Sequence, residues 1–294
     1  MTKYLYISDL DGTLFDKTGY LSPFSRRNLI NLIENNILFT IASARSLTTI
    51  RERLGELPLK LPVIHMNGSW ITDYSAKNEY YTSFLPKETV KAITEIFIAE
   101  KATFLASGKH VHTHKPFCSI PPPQRRNIPI QEFIDERYQK RDPRIIEEDF
   151  AQNLDDKNTI SFTLVEHSRK GQEILKKIRT HKLDKDLAIY PMGERTLHGK
   201  VYEWTTVQHE HGTKGHGALR VAQQLAIPPK NLIVFGDNVN DYSLLEAAKS
   251  HGGTAIAVEN STPELSAIAT FSIEHHNTDS VIKYILAKEN LKPV

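Results

Sequence analysis

Short apolar runs alternate with helix-like stretches at both ends of the chain. Apolar runs bounded by polar residues predict strands, whereas apolar residues that recur every three or four positions predict helices. The predicted strands are Tyr4–Ser8, Leu38–Ala42, Pro62–Met66, Leu232–Phe235 and Thr254–Val258. The predicted helices are Pro23–Asn36, with Ser22 as its cap, and Leu47–Leu54, Gly215–Ala226, Asp241–Lys249 and Pro263–Ile268. This alternation predicts an α/β fold with a doubly wound, Rossmann-like parallel sheet covered by helices on both faces.

The middle of the chain has a different pattern. Residues 70–81 resemble a polar hairpin that leads out of the sheet, and the following segment mixes strand-like and helix-like stretches without regular alternation. A chain of 294 residues is long for one hydrophobic core. We therefore predict a core domain formed by residues 1–81 and 199–294, with an inserted α+β domain at residues 82–198.

Two features of the predicted insert have no assigned role. His110, His112 and His114 alternate, which places them on one face of a predicted strand. This face is either a transition-metal site or a solvated or substrate-facing surface. The segment Pro121–Arg126 is either a rigid basic arm that reaches an anionic substrate or an ordinary solvated loop.

The composition of the chain limits the kinds of molecule that it is expected to bind. Hydrophobic residues make up 39% of the chain, charged residues 24%, and the formal net charge is only +2. This balance gives no electrostatic reason to expect a nucleic acid. The single cysteine, Cys118, cannot form an internal disulfide, and neither a signal-like N-terminus nor a membrane-length apolar run is present. We expect a soluble cytoplasmic protein, a monomer or homodimer, without a membrane partner.

Polar residues follow three of the predicted strands. Asp9 and Asp11 come after the first strand, Ser43 after the second, and Asp237 after Leu232–Phe235. Ligands of open α/β sheets bind beyond the carboxyl ends of the strands, so we expect these side chains to meet at one edge. Two carboxylates this close raise each other's pKa unless a cation lies between them. The pattern is typical of a site that holds a divalent metal and a phosphate.

Each residue type suggests a chemical role. A carboxylate such as Asp9 can attack phosphorus, while Asp11 can protonate the leaving group and later deprotonate water. Mg²⁺ prefers oxygen ligands, and Asp9 and Asp237 are the carboxylates expected to bind it. Ser43 and Lys214 supply a hydroxyl and a positive charge for the phosphoryl oxygens.

Further positions are expected to support this site. Gly12 permits the tight turn that aims both aspartates inward. Asp241, four residues after Asp237, can orient metal-bound water or Lys214. The expected phosphate-binding positions are Leu10, Gly12, Ala44, Arg45, Asn67 and Asn240. The expected supporting residues, which contact the binding groups without binding the ligands themselves, are Thr13, Asn238 and Asp241.

These motifs together resemble the haloacid dehalogenase (HAD) superfamily. The matching segments are Asp9-x-Asp11-Gly12-Thr13, Ser43, Lys214 and Gly236-Asp237-x-x-Asn240-Asp241. The resemblance implies that Asp9 is the nucleophile and Asp11 the acid/base, and that the Asp11 carbonyl also binds Mg²⁺. It implies phosphoryl contacts for Ser43 and Lys214, and metal binding by Asp237.

The position of the insert suggests the branch of the superfamily. The long insert lies between Ser43 and Lys214, as in C2-capped members, and Met66-Asn67-Gly68-Ser69 is similar to the Asn-Gly-Ala step of the Cof-type branch. Ser43-Ala44-Arg45 departs from the Thr-Gly-Arg that is usual there, although serine keeps the hydroxyl. The resemblance implies a Mg²⁺-dependent phosphatase acting on small phosphate monoesters, with sugar phosphates as the leading class. A phosphomutase and a non-catalytic phosphometabolite-binding regulator remain alternatives.

Overall fold

In the computed structural model, which describes residues 3–294, the chain divides into two units. The first unit contains residues 3–82 and His211–Val294, and the second contains Ser83–Glu210. The insert was expected to end at residue 198. The observed unit continues to Glu210 because the strand at Lys200–His209 pairs with strands of the second unit.

The first stretch of the first unit begins with alternating strands and helices. Its elements are β1 (Leu5–Ser8), α1 (Pro23–Glu34), β2 (Leu38–Ile41), α2 (Leu47–Leu54), β3 (Val63–His65), β4 (Trp70–Thr72) and β5 (Glu79–Thr82). Serine hydroxyls cap both helices. Ser22 Oγ accepts the N–H of Ser25 at 2.9 Å, and Ser46 Oγ accepts the N–H of Thr49 at 3.3 Å.

The second unit is a six-stranded sheet with helices on both faces. Its elements are α3 (Lys87–Ala99), β6 (Phe104–His110), β7 (Pro116–Ile120), α4 (Ile128–Gln139), β8 (Ile145–Glu147), β9 (Lys157–His167), α5 (Ser168–Thr180), β10 (Leu187–Leu197) and β11 (Lys200–His209). The strand order is β10-β11-β9-β6-β7-β8, antiparallel except for β7 and β8.

Side-chain alternation along the strands builds two apolar layers in this unit. Phe104 and Phe162 pack with α3 and α5 on one face. Leu105 and Cys118 pack with α4 on the other face. Both faces of the sheet are therefore buried.

The last stretch completes the first unit. Its elements are α6 (Lys214–Gln224), β12 (Leu232–Gly236), α7 (Tyr242–Ser250), β13 (Thr254–Val258), α8 (Pro263–Ile268), β14 (Phe271–Ile273) and α9 (Ser280–Lys288). The parallel sheet has the order β14-β13-β12-β1-β2. Tyr6 and Phe235 face one apolar cluster, whereas Ile7 and Val234 face another. Burial of both faces confirms the predicted doubly wound α/β fold.

The third predicted strand does not join the parallel sheet as a full member. β3 pairs antiparallel with β4, and β5 completes a separate three-stranded sheet. One parallel bridge between Ala42 and Ile64 links it to the end of β2. A short apolar run predicts a strand but does not specify its partner, which explains the difference.

The predicted histidine face is wrong. β6 ends at His110, residues 111–113 form a turn, and His114 has a φ of 56°. The chain reverses here because Lys109 pairs with Pro116 in a hairpin, so the three histidines share no strand face. His110 instead lies 2.9 Å from Asp156. Between residues 3 and 294, none of the three belongs to a group of ligands close enough to hold one ion.

No helix between residues 3 and 294 has both the length and the apolar character that crossing a bilayer requires.

Candidate active site

The site residues follow neighbouring strands of the parallel sheet. β1 lies between β2 and β12, so the ends of these strands bring Asp9, Ser43 and Asp237 to one edge. The N–H of Asp9 donates to the carbonyl oxygen of Phe235 at 3.0 Å, which extends the β1–β12 pairing to the first carboxylate. The parallel topology thus places the expected residues side by side.

Lys214 connects two of the carboxylates. It is the first residue of α6, which Thr213 caps through its hydroxyl. Lys214 Nζ donates to Asp9 Oδ1 and to Asp241 Oδ1, each at 2.6 Å. All three side chains are buried, so these contacts are charge-assisted hydrogen bonds away from solvent. Of the two partners expected for Asp241, the structure shows the contact with Lys214.

Asp237 lies beside this pair. Thr13 Oγ1 donates to Asp237 Oδ1 at 2.7 Å. The second oxygen of Asp241 accepts the N–H groups of Asp237 and Asn238, each at 3.1 Å. Each of Asp9, Asp237 and Asp241 offers one oxygen within 4.8 Å of the others. Three carboxylates and one lysine therefore lie close together, with Asp237 half-buried and the others buried.

The excess of carboxylates over positive charge in this group changes the pKa values of its members. Burial raises the pKa of Asp9 well above its usual range; Lys214 opposes the rise, and the neighbouring carboxylates add to it. Burial, together with the charge of Asp241, raises the pKa of Asp237 to about 7. Burial disfavours the charged form of Lys214, yet Asp241 and Asp9 raise its pKa overall. One lysine does not compensate three carboxylates, so the group favours a further cation.

The donor set fits a hard divalent cation. Both oxygens of Asp241 are already used, by Lys214 and by two backbone N–H groups. Oδ2 of Asp9 and Oδ2 of Asp237 accept no hydrogen bond within residues 3–294. Gly12 leaves space beside them: with a φ of 77°, a Cβ here would lie 2.4 Å from Asp237 Oδ2. The carboxylates best placed to bind a metal are those of Asp9 and Asp237.

The Asp11 side chain is directed to a different partner. Arg45 Nε donates to Asp11 Oδ2 at 2.6 Å, and Arg45 Nη2 donates to Oδ1 at 2.7 Å. Asp11 is exposed, unlike the buried carboxylates. Although burial opposes the charge on Arg45, the hydrogen bond and charge of Asp11 raise its pKa. The planar guanidinium thus holds Asp11 in a bidentate pair at the edge of the group.

Ser43 and its neighbours form the wall on the β2 side. Ser43 is fully buried, and its Oγ accepts the N–H of Arg45 at 3.2 Å. The carbonyl oxygen of Ser43 accepts the N–H of Asn67 at 2.9 Å. Asn240 Nδ2 donates to Asn67 Oδ1 at 3.1 Å, which joins this wall to the segment after β12. Ala44, between Ser43 and Arg45, is half-buried.

Two expected positions have other roles in the fold. The side chain of Leu10 is buried in an apolar cluster of the first unit, so only its main chain is available to a ligand. Asn238 is exposed, and its Oδ1 accepts the N–H of Val239 at 2.7 Å, which caps a short 3₁₀ helix. Neither side chain forms a hydrogen bond to the carboxylates of Asp9, Asp237 or Asp241.

Two further residues shape the site without having been predicted as part of it. Asn260 Nδ2 donates to the carbonyl oxygen of Gly12 at 2.8 Å, which fixes the turn after β1. Gly68 lies so close to Thr213 that a Cβ would be 2.0 Å from its carbonyl oxygen. The available signals were a polar segment after β13 and the Asn67-Gly68 step, but neither identified the contact partner.

Comparisons with known proteins identify the family. Residues 6–285 match the family model of haloacid dehalogenase-like hydrolases. Pyridoxal phosphate phosphatase YbhA of Escherichia coli is 25% identical, with 97% of this chain and 98% of that protein covered. The 5-amino-6-(5-phospho-D-ribitylamino)uracil phosphatase YwtE of Bacillus subtilis is 24% identical, with 94% and 95% covered.

Solved structures of similar fold cover nearly the whole chain. A haloacid dehalogenase-like hydrolase from Bacteroides thetaiotaomicron has a TM-score of 0.75 at 18% identity, with 98% of this chain and 100% of that chain covered. A haloacid dehalogenase-like hydrolase from B. subtilis has a TM-score of 0.72 at 19% identity, with 97% and 99% covered. The chain belongs to the haloacid dehalogenase-like hydrolases, in their Cof-type branch, and is a phosphatase.

Proposed function

We propose that this phosphatase hydrolyses small phosphate monoesters through a phosphorylated Asp9, with Mg²⁺ as cofactor. The observation that carries the proposal is the buried network of Asp9, Lys214 and Asp241 beside Asp237. Such a concentration of carboxylates is costly unless cations compensate their charge. Phosphoryl transfer from a monoester uses this combination of a nucleophilic carboxylate and nearby positive charge.

Asp9 and Asp237 would hold the metal through the oxygens that accept no hydrogen bond. Mg²⁺ prefers oxygen ligands and, when bound, would reduce the repulsion between a carboxylate and a phosphate dianion. The carbonyl of Asp11 is a further ligand implied by the family resemblance. Asp241 would act indirectly, because its carboxylate holds Lys214 in place.

The chain's own residues account for the two chemical steps. In the first, an oxygen of Asp9 forms a bond to phosphorus while the ester oxygen leaves with a proton from Asp11. In the second, Asp11 takes a proton from water, whose oxygen bonds to phosphorus and displaces Asp9. Lys214 and Ser43 would contact the phosphoryl oxygens during both steps. To act as acid and base, the Asp11 carboxylate would leave Arg45 and contact the substrate.

The substrate is proposed to be a small phosphorylated metabolite, with sugar phosphates as the first class to test. The two relatives described above are named for pyridoxal phosphate and for a phosphoribitylamino uracil, both of which are phosphate monoesters. A panel of metabolite phosphates, with release of inorganic phosphate as the readout, would identify the class. The cytoplasmic location and the monomeric or dimeric state stay predictions.

The nucleophile is tested by Asp9→Asn. We expect at least about a thousandfold lower kcat for p-nitrophenyl phosphate, because an amide cannot replace the carboxylate as nucleophile. Glu34→Gln makes the same change at an exposed position of α1 and should leave kcat unchanged. Mass spectrometry of acid-quenched wild-type enzyme should show a phosphoryl group on the Asp9 peptide. Unreduced activity of Asp9→Asn would reject the mechanism.

A further inference from the structure

The basic loop that the sequence left unexplained forms the wall of a cavity in the second unit. This cavity has a volume of about 550 Å³. Five cationic side chains and one carboxylate are among the residues that line it: Lys101, Arg125, Arg126, Lys170, Lys200 and Glu166. The remaining lining residues also belong to Ser83–Glu210, so this unit builds the cavity by itself.

The cavity lies where β9 ends and β11 begins. Tyr202 of β11 pairs with His167, the last residue of β9, and both line the cavity. The connections to the first unit leave from the opposite end of these strands. There, the N–H of Leu85 donates to the carbonyl oxygen of Thr159, and Gln208 pairs with Ser161. The cavity is therefore remote from the two chain connections along the strand direction.

Two arginines of the wall already have partners. Arg126 donates to the carbonyl oxygen of Pro121 at 2.8 Å and to Glu147 at 2.6 Å. Arg125 forms a longer ion pair with Asp149 at 3.5 Å. The basic loop is thus held against the unit as a fixed wall and is not an extended arm.

The lysines differ in their pairing. Lys170 Nζ donates to Glu166 Oε1 and to the carbonyl oxygen of Lys101, each at 2.8 Å. Glu166 Oε1 also accepts the N–H of Thr103, so the charge of the single lining carboxylate is paired with Lys170. Lys101 Nζ and Lys200 Nζ have no hydrogen-bond or ion-pair partner within residues 3–294. Two ammonium groups are therefore available to an anion.

The start of α5 adds a second source of positive potential. His167 is the N-cap residue of this 13-residue helix and makes no side-chain hydrogen bond to the first turn. The first N–H groups of a helix have no partner within the helix and carry its positive partial charge. His167 and Lys170 line the cavity, so this uncapped turn borders it. Helix N-termini with these properties bind phosphate groups.

We propose that this cavity is a binding site for a small phosphorylated molecule. The phosphate would be held by Lys101, Lys200 and the first N–H groups of α5. The volume lies within the range of small-molecule sites, so the remainder of the ligand would lie beside His167 and Tyr202. Because no lining residue belongs to the first unit, the proposal does not depend on the catalytic assignments.

The test is a titration of isotope-labelled protein with inorganic phosphate, followed by amide NMR at constant ionic strength. The N–H signals of Ser168 and Arg169 should shift and saturate, because these groups begin α5. In a Lys101→Gln/Lys200→Gln double variant, the Kd read from these signals should be about tenfold weaker, since two charged contacts are lost.

A second double variant controls for general charge. Lys176→Gln/Lys185→Gln removes the same charge from exposed positions of the same unit and should keep the wild-type Kd. Signals that do not change between variants show that each protein is folded. The proposal is overturned if the Ser168 and Arg169 signals do not respond to phosphate, or if both double variants bind equally well. Phosphate binding at the active site gives separate signals from residues near Asp9, so the two sites are distinguished.

Discussion

The buried lysine of the active site gives the sharpest test of its electrostatics. Lys214→Met keeps a long apolar side chain but removes the charge that Asp9 and Asp241 share. At an effective dielectric constant of about 20, each 2.6 Å contact corresponds to roughly 6 kcal/mol of attraction, much of which desolvation offsets. Removal of one partner from a buried ion pair costs about 3–5 kcal/mol. We expect the free energy of unfolding of metal-free Lys214→Met to be lower than that of the wild type by this amount.

Mg²⁺ should restore part of this loss. Without Lys214, the carboxylates of Asp9, Asp237 and Asp241 lie close together with no cation between them. A bound divalent cation would then relieve more repulsion in the variant than in the wild type. The Mg²⁺-induced increase in the free energy of unfolding should therefore be larger for Lys214→Met.

The two tryptophans allow this measurement to be made on one unit. Trp70 lies in the first unit and Trp204 in the second, so a Trp204→Phe background reports urea unfolding of the first unit through Trp70 fluorescence. Lys157→Met is the matched control, because Lys157 forms a buried pair with Glu148 at 3.0 Å in the second unit. The free energy of unfolding that Lys157→Met loses, measured through Trp204 in a Trp70→Phe background, should not change when Mg²⁺ is added.

Either of two results would contradict this role of Lys214. Lys214→Met could unfold at the same urea concentration as the wild type without metal, which would mean that the lysine does not compensate the carboxylates. Alternatively, Mg²⁺ could stabilise both proteins equally, which would place its binding away from this group.

Two further predictions concern pH and packing. Without metal, the pKa of Asp237 is raised to about 7, so the folded state binds a proton at Asp237 more tightly than the unfolded state does. The contribution of Asp237 to the free energy of unfolding is therefore fully present below about pH 4 and is lost as the pH rises through 7. Mg²⁺ binds the ionised form, so the Mg²⁺-induced rise in Tm should be larger at pH 8 than at pH 5, and equal rises would contradict this linkage. Gly68→Ala should cost about 3 kcal/mol in urea unfolding because its Cβ meets Thr213 at 2.0 Å. Gly199→Ala, at a φ of 73° in open space, should cost only about 1 kcal/mol, and similar losses would show that the close approach is not limiting.

The elements of the parallel-sheet unit were predictable because the sequence patterns that specify each helix and strand are local. Leu47–Leu54 and Pro263–Ile268 form helices with the predicted bounds, and each follows a hydroxyl residue that caps it. Thr254–Val258 likewise has the predicted bounds, since a glycine pair precedes and Glu259 follows a short buried run. Strand partners were less predictable. β3 is apolar like the neighbours of β1, yet it pairs with β4, because pairing depends on where the chain turns next.

The sequence predicted that Asp9, Asp237 and Lys214 lie together, but it did not predict the contacts of the surrounding residues. Topology alone brings Asp9 and Asp237 to one edge, as their positions after strands indicated. The bidentate contact of Asp11 with Arg45 depends on two loop conformations, which residue spacing does not specify. The contact of Asn260 was not predicted for the same reason, since its partner is a backbone carbonyl that carries no sequence signal.

The position of Cys118 gives this protein a natural kinetic reporter. The only thiol of the chain lies on β7 beneath α4, and burial raises its pKa, so both access and ionisation protect it. An alkylating reagent can react when this layer opens, as when α4 separates from the sheet. The labelling rate therefore counts the openings of this one layer, and a ligand that ties the unit together would be detected as slower labelling without any engineered probe.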